Sequence, residues 1–105
     1  MATEAQIQAL VREIAERFSP ERIVLFGSHA RGDTHADSDV DLLVFLSFQG
    51  HPAKTAARIR AALTAELAID IIAREPQTAQ LPRNRRDPLL DIALETGRTV
   101  YAGAA

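Results

Sequence analysis

Three aspartates stand in strand-like apolar sequence, and their spacing suits the binding of a metal ion. Asp39 and Asp41 are separated by Val40, and Asp70 interrupts an apolar run at positions 67–73. Side chains two apart in a strand leave the same face, about 6.5–7 Å apart along the chain, so the first two acids can converge on one ligand. Desolvating three carboxylates is costly unless a positive group lies among them. Because Mg²⁺ prefers hard oxygen ligands together with substrate phosphates, the pattern indicates a site for a metal–nucleotide complex.

The chemistry that such a site supports is the transfer of a nucleotidyl group. In a two-metal arrangement, with ions about 3.5–4 Å apart, one ion activates the attacking oxygen and the other neutralises charge on the triphosphate and the leaving pyrophosphate. We predict that Asp39 and Asp41 hold both ions. Asp70, if its strand is a neighbour, completes the cluster on the acceptor side and helps to take up the proton of the acceptor hydroxyl.

A glycine-containing turn precedes the acids. Gly27 follows the apolar run 23–26, and it allows the backbone to approach a phosphate at the start of a short helix. Ser28 adds a hydroxyl to this turn. Arg31 is the nearest cation and could reach a phosphate oxygen, or could equally be a solvated surface charge.

The elements that must position these residues alternate between helical and strand patterns. The first is a helix with a capping box at Thr3 and Gln6 and an apolar face of Ile7, Leu10, Val11, Ile14 and Phe18, followed by strands at 23–26 and 40–46. Next come a helix from Pro52, with an apolar face of Ala56, Ile59, Leu63 and Leu67, and a strand over roughly 68–73. A helix from Asp87 to Gly97 and an edge segment at Val100–Tyr101 complete the predicted order. This order is that of an α/β (α+β) fold, with a small sheet against helices and the acids at one end.

Composition limits the classes of function. At 105 residues, with 47% hydrophobic and 25% charged residues, the chain is expected to form a single domain over residues 1–105 with little room for a separate acceptor module. A net charge of −2 argues against general binding to nucleic acid or to an anionic membrane. There is no cysteine and no apolar run of membrane length, so we predict a cytoplasmic protein that does not contact the membrane.

Other polar residues receive no part in the predicted chemistry. The histidines show no metal-ligand spacing and are predicted to lie at the surface; they are His29, His35 and His51. The segment 76–86 is predicted to be a mobile or ligand-facing loop. Its arginines are interpreted as solvated or partner-binding, because no aromatic residues interleave with them as in a nucleic-acid site; they are Arg83, Arg85 and Arg86. Tyr101 is predicted to pack in the fold.

Two segments closely resemble the signature of the DNA polymerase β-like nucleotidyltransferase superfamily: Gly27-Ser28-His29-Ala30-Arg31-Gly32 and Ser38-Asp39-Val40-Asp41-Leu42-Leu43. Within it, the short chain is similar to the minimal nucleotidyltransferases, the MntA-like antitoxins, from residue 7 to residue 101. The resemblance implies a mixed sheet flanked by helices and Mg²⁺-dependent use of ATP. It assigns catalysis and metal binding to Asp39, Asp41 and Asp70. Within these two segments we predict nucleotide and phosphate binding by Gly27, Ser28, Arg31 and Ser38.

The resemblance also implies a partner and a role. It implies a HEPN-domain toxin of the HepT kind, which is frequently a neighbour of such antitoxins. It also implies that AMP is transferred to a tyrosine hydroxyl of this toxin and that this transfer blocks the toxin's RNase site. Two alternatives stay open from the residues alone. One is a binding module that masks its partner without catalysis, and the other is a small-molecule nucleotidyltransferase of the antibiotic-modifying type, which needs a pocket for a polycationic acceptor.

Overall fold

The architecture is a four-stranded sheet with helices on both faces. The structure is a computed structural model, and it describes residues 2–35 and 38–103. In chain order the elements are α1 (Glu4–Phe18), β1 (Arg22–Phe26), α2 (Ser28–Arg31), β2 (Val40–Phe45), α3 (Pro52–Ala62), β3 (Ile69–Arg74), two 3₁₀ turns (Pro76–Gln80 and Arg83–Arg85), α4 (Pro88–Thr96) and β4 (Arg98–Ala102).

The sheet is mixed, as the resemblance implied. Its strand order is β3-β2-β1-β4, with β1 antiparallel to both of its neighbours and β2 parallel to β3. In the register, Asp41 faces Phe26 on one side and Asp70 on the other. The carboxyl end of β1 therefore lies beside the amino ends of β2 and β3, and this end of the sheet carries the acids.

The first helix forms as its pattern predicts. The Thr3 hydroxyl accepts a hydrogen bond from the Gln6 N–H (3.1 Å), and the Gln6 side chain accepts one from the Thr3 N–H (2.8 Å), which completes the capping box. Its apolar face is buried at Ile7, Leu10, Val11 and Ile14. The helix ends at Ser19, whose φ of 47° turns the chain towards Pro20 and β1.

The core lies on both faces of the two central strands. Alternate residues of β1 pack on opposite sides, so that Ile23 and Leu25 face α1 and α3 while Val24 and Phe26 face α4. Both strands are almost fully buried. This two-sided burial explains why their sequences are continuous apolar runs rather than alternating ones.

Two predicted segments differ in the structure. Helix α3 ends at Ala62, so the prediction that Leu63 and Leu67 continue its apolar face is wrong, although Leu63 is buried at the end of the helix. The chain leaves the helix because Glu13 of α1 accepts hydrogen bonds from the backbone N–H (3.1 Å) and the hydroxyl (3.0 Å) of Thr64. Segment 76–86 is not an irregular loop but contains both 3₁₀ turns.

Two arginines of segment 76–86, Arg83 and Arg86, attach it to α4. Arg86 binds Asp91 (3.2 Å), and its guanidinium also donates to the Leu81 carbonyl (2.9 Å). Arg83 forms ion pairs with Glu95 and with Asp91 (3.6 Å). The segment leaves β3 at the end opposite the acids, so these contacts do not support a ligand-facing position.

The carboxy-terminal elements follow the prediction. Asp87 caps α4 by accepting a hydrogen bond from the Leu90 N–H (3.0 Å), and the helix stops before Gly97. Tyr101 lies on the edge strand β4 and packs against the core beneath α1. Within residues 2–35 and 38–103, no helix is both long enough and apolar enough to cross a membrane.

Candidate active site

The parallel pairing of β2 and β3 brings two of the predicted acids side by side. Asp41 and Asp70 are register partners on adjacent strands, whose backbones are about 4.8 Å apart. Asp39 directly precedes β2, because the strand begins at Val40. Asp41 is half-buried, whereas Asp39 and Asp70 are exposed. Asp70 is thus both an exposed residue of an edge strand and a neighbour of the central acid.

The environment of Asp41 is short of positive charge. Burial raises the pKa of the Asp41 carboxyl, and the negative charges of Asp70 and Asp39 raise it further. His29 and Arg31 oppose this effect only in part. The donor set consists of hard carboxylate oxygens that repel one another, which fits a divalent cation such as Mg²⁺.

The acids do not by themselves form a complete cage for a metal. Among the residues that the structure describes, no three acidic, histidine or cysteine side chains are arranged as a set that could hold an ion. Mg²⁺ commonly binds through one or two carboxylates, with the remaining ligands from water and substrate phosphates. The arrangement therefore fits an ion that binds together with a nucleotide.

Gly27 is required by the closeness of the central acid. Its φ is 74°, and a Cβ at this position would overlap the Asp41 Oδ2 atom and lie 3.1 Å from the Asp41 Cγ. The glycine was predicted because it lets backbone approach a phosphate, and the structure adds that it also makes room for the Asp41 carboxylate. The turn and the acid are therefore in direct contact.

The other residues of the turn are only partly directed at the acids. The Gly27 carbonyl accepts from the N–H groups of Ala30 and Arg31, both at 3.1 Å, which forms the short helix α2. The Ser28 hydroxyl has no hydrogen-bond partner within residues 2–35 and 38–103 and remains available. Arg31 instead forms an ion pair with Asp33 (3.2 Å), and half of its side chain is exposed.

Ser38 holds the segment before the first acid. Its hydroxyl accepts a hydrogen bond from the His35 N–H (2.8 Å), and its own N–H donates to the His35 carbonyl (3.0 Å). Positions 36 and 37, which precede Ser38, lie outside the described residues. Ser38 therefore has a local role that the sequence did not predict, and its contact with a nucleotide stays a prediction.

His29 differs from the surface residue that was predicted. It is half-buried, its Nδ1 lies 2.9 Å from the Asp39 carbonyl oxygen, and its Nε2 is buried without a hydrogen-bond partner in the described part of the chain. His35 and His51 are exposed, as predicted. The sequence signal that could have indicated His29 was its place inside the turn motif, which a search for metal-ligand spacing does not use.

Space alone does not locate this site. A groove of about 590 Å³ lies between α1 and β4, where Ile7, Val11 and Tyr101 contribute to its lining. None of the seven predicted site residues lines it. This groove is therefore separate from the acids, which strand register and charge identify as the candidate site.

The acids and the turn occur together in a known family. The family model described as the nucleotidyltransferase domain matches residues 7–91, a span that contains every predicted site residue. The chain belongs to this family. The nucleotidyltransferase domain match ends within α4, so β4 lies beyond it.

Known proteins resemble this nucleotidyltransferase in sequence and in fold. Over 41 residues, 39% of this chain, it is 46% identical to the protein adenylyltransferase MntA of Thermococcus cleftensis (strain DSM 27260 / KACC 17922 / CL1), and the match spans 41% of that relative's length. A crystal structure described as a nucleotidyltransferase from Sulfolobus solfataricus superposes with a TM-score of 0.64 at 18% identity, covering 96% of this chain and 84% of that one.

Two toxin–antitoxin crystal structures also share the fold. One, with AMP-PNP, superposes with a TM-score of 0.57 and covers 90% of this chain and 73% of that one. The other, a mutant of the MntA–HpeT toxin–antitoxin, gives 0.55 and covers 96% and 74%. Both are 18% identical, so they bear on the fold alone. Together the comparisons confirm the mixed α/β fold and the resemblance to minimal, MntA-like nucleotidyltransferases.

Proposed function

We propose that this nucleotidyltransferase is a Mg²⁺-dependent adenylyltransferase that transfers AMP from ATP to a hydroxyl group and acts as an antitoxin. The observation that carries the proposal is the pairing of Asp41 with Asp70 across β2 and β3, directly beside the Gly27 turn. The name of the relative, a protein adenylyltransferase, and the neighbour that contains AMP-PNP support ATP as the nucleotide.

The acids and the residues of the turn have different roles in the proposed reaction. Bound Mg²⁺ would neutralise charge on the phosphates and on the leaving pyrophosphate. Asp39 and Asp41 would hold the metal, with Asp41 as the ligand closest to the turn. The backbone of Gly27 and the free hydroxyl of Ser28 would orient the triphosphate, so that the α-phosphorus faces the acceptor.

Asp70 would act on the acceptor side. The acceptor oxygen forms a new bond to the α-phosphorus, the bond from this phosphorus to the β-phosphate oxygen breaks, and pyrophosphate leaves. Asp70 would ligate metal on this side and accept the proton that the acceptor hydroxyl loses. Its exposure on the edge strand supports this role, because a hydroxyl carried by another macromolecule can reach it.

Arg31 and Ser38 are proposed as weaker contributors to nucleotide binding. The ion pair between Arg31 and Asp33 is half-exposed, and such pairs contribute only about 0–1 kcal/mol. A phosphate oxygen can therefore replace Asp33 as the partner of the guanidinium. Ser38 would act by holding the segment that leads into Asp39.

We propose a tyrosine of a cognate HEPN-domain, HepT-like toxin as the acceptor, with both proteins in the cytoplasm. The toxin–antitoxin neighbours support a toxin as the partner. Asp39 and Asp70 are exposed, and Asp70 lies on an edge strand, so a hydroxyl carried by another protein can reach the acids. We further propose that residues 1–105 act as one domain.

The test is co-purification with the product of the adjacent gene, followed by the intact mass of both chains after incubation with ATP and Mg²⁺. We expect the partner to gain AMP-sized increments with the unaltered chain and none with Asp39→Asn or Asp41→Asn. Glu16→Gln, an equal change of charge on the exposed face of α1, is the matched control and should retain transfer.

The other outcomes separate the alternatives. Tight binding without a mass gain in either chain would refute transfer and support the masking module. If neither binding nor a mass gain occurs, the antitoxin role fails, and transfer to small polycationic acceptors becomes the reaction to assay.

A further inference from the structure

The ring of His29 joins the turn to the segment that carries the first acid. Its Nδ1 lies 2.9 Å from the Asp39 carbonyl oxygen. A carbonyl oxygen only accepts hydrogen bonds, so Nδ1 must be the donor and must carry the hydrogen. This assignment defines the tautomer of the ring, and it leaves Nε2, which is buried and has no partner among the described residues, without the hydrogen in the neutral ring.

This hydrogen bond pairs a carbonyl group, that of Asp39, which the neighbouring strand β1 is too short to reach. The Val40 N–H donates to the Ala68 carbonyl (2.9 Å), on the β3 side of β2. In a trans peptide the carbonyl points away from the N–H, so the Asp39 carbonyl points towards β1. However, β1 ends at Phe26, and the chain has already turned into α2. The His29 ring supplies the donor that a longer β1 would have provided.

This bond fixes the peptide between the two acids from the side of the turn. The peptide that follows Asp39 is now held on both sides, by Ala68 through its N–H and by His29 through its carbonyl. Two residues later, the Asp41 carboxylate lies against Gly27. The segment that carries both acids therefore meets the turn at two places, through the hydrogen bond of His29 and through the packing of the Asp41 side chain on Gly27.

We propose that His29 is a positioning residue, whose Nδ1–H fixes the Asp39 peptide so that Asp39 and Asp41 keep the orientation needed to bind a metal–nucleotide complex. The inference rests on the proposed function, because it concerns the same acids. Residues that orient ligands through a hydrogen bond of this kind typically change metal affinity or activity about 10- to 100-fold when they are replaced.

Two substitutions distinguish positioning from packing. Asn carries its amide nitrogen on Cγ, as His carries Nδ1, so His29→Asn can still donate to the Asp39 carbonyl. His29→Leu has a similar bulk but no donor. We expect His29→Leu to weaken binding of α,β-methylene-ATP with Mg²⁺ about 10- to 100-fold by titration calorimetry, and His29→Asn to stay within about 3-fold of the unaltered chain. If His29 only fills space, Leu will bind as the unaltered chain does and Asn will not, which would overturn the proposal.

A second measurement needs neither ligand nor activity. Long-range ¹H–¹⁵N correlation of the histidine rings reports the tautomer directly, and we expect His29 to carry its hydrogen on Nδ1. A ring with hydrogen on Nε2 alone would refute the hydrogen bond and with it the proposal. If the unaltered chain shows no transfer but the Asn and Leu variants bind the analogue as expected, the proposed reaction fails while the positioning role stands.

Discussion

The central acid of the site, Asp41, is held where its charge is unfavourable for the fold. Burial and the two neighbouring aspartates act in the same direction on its pKa, and the nearby cations only partly oppose them. Such a residue lowers the stability of the free protein and gains a favourable partner only when a cation binds. The uncompensated negative charge of Asp41 therefore explains both its destabilising effect on the free protein and its suitability as a cation ligand.

Replacing Asp41 by Asn should remove this unfavourable charge at constant shape. We expect Asp41→Asn to raise the free energy of unfolding without divalent cations, by less than about 1 kcal/mol because the cluster is partly exposed. Urea unfolding in the presence of a chelator measures the change, and Glu16→Gln should leave stability within about 0.5 kcal/mol. A clear loss of stability in Asp41→Asn would mean that the carboxylate has a favourable partner in the free protein.

Gly27 gives a second prediction at this scale. Gly27→Ala places a Cβ on the Asp41 carboxylate in addition to the strain of a positive φ. We expect a loss of about 1–3 kcal/mol in stability and of about 100-fold or more in transfer. Gly50→Ala is the matched control, because its φ is 90° with nothing within 4 Å of the added Cβ. If Gly50→Ala is destabilised but keeps transfer, the loss of transfer in Gly27→Ala is due to the contact with Asp41. If both variants lose transfer equally, the contact with Asp41 is not the cause.

At the scale of elements, local patterns predict most helices and strands. The capping box at Thr3 and the Asp87 cap depend on neighbours in sequence and are confirmed. Leu67 fails because the end of α3 depends on Glu13, which is 51 residues from Thr64. His29 likewise depends on where β1 stops relative to Asp39. Contacts between distant segments are what sequence periodicity does not contain.

The Asp87 cap makes α4 sensitive to acid. Hydrogen bonds from Arg74 lower the pKa of the Asp87 carboxyl most, and the capped Leu90 N–H lowers it further, against the opposing effect of partial burial. A depressed pKa in the fold means that the carboxylate stabilises the protein fully above the unfolded value, near 3.9, and that this contribution is lost as the pH falls through the folded value.

We therefore expect Asp87→Ala to lower the free energy of unfolding by about 0.5–2 kcal/mol at pH 7. Below about pH 4 this difference should narrow towards the difference between Asp87→Asn and Asp87→Ala. Chemical denaturation across this pH range measures the gap. Asp87→Asn keeps a capping oxygen but loses the charge, so it should fall between the two at pH 7. A gap that stays constant with pH would show that the cap does not depend on ionisation.

At the scale of the whole molecule, the acids lie at one end of the sheet, beside an edge strand and away from the groove between α1 and β4. The proposed metal-binding and acceptor sides are therefore carried by different strands, β2 and β3. The resemblance predicted this mixed sheet, and composition did not. Substitutions on one of these strands should therefore change nucleotide binding or transfer to the acceptor separately.

Asp70→Asn should separate nucleotide binding from transfer. We expect the affinity for α,β-methylene-ATP with Mg²⁺ to change by less than about 10-fold, while transfer to the partner falls about 100-fold or more because proton acceptance is lost. Calorimetry and intact mass measure the two effects. Equal losses in both would instead place Asp70 mainly on the nucleotide side.

The position of Asp70 has a further consequence for the behaviour of the chain. It is the single charge among the first five residues of the edge strand β3, which ends at Arg74. A charge on such an edge discourages another chain from adding to it as a new strand, so the acid also acts as a gatekeeper against aggregation. Inactive variants at this position should therefore self-associate more readily, and a low yield of soluble protein would then report edge-to-edge association rather than failure to fold.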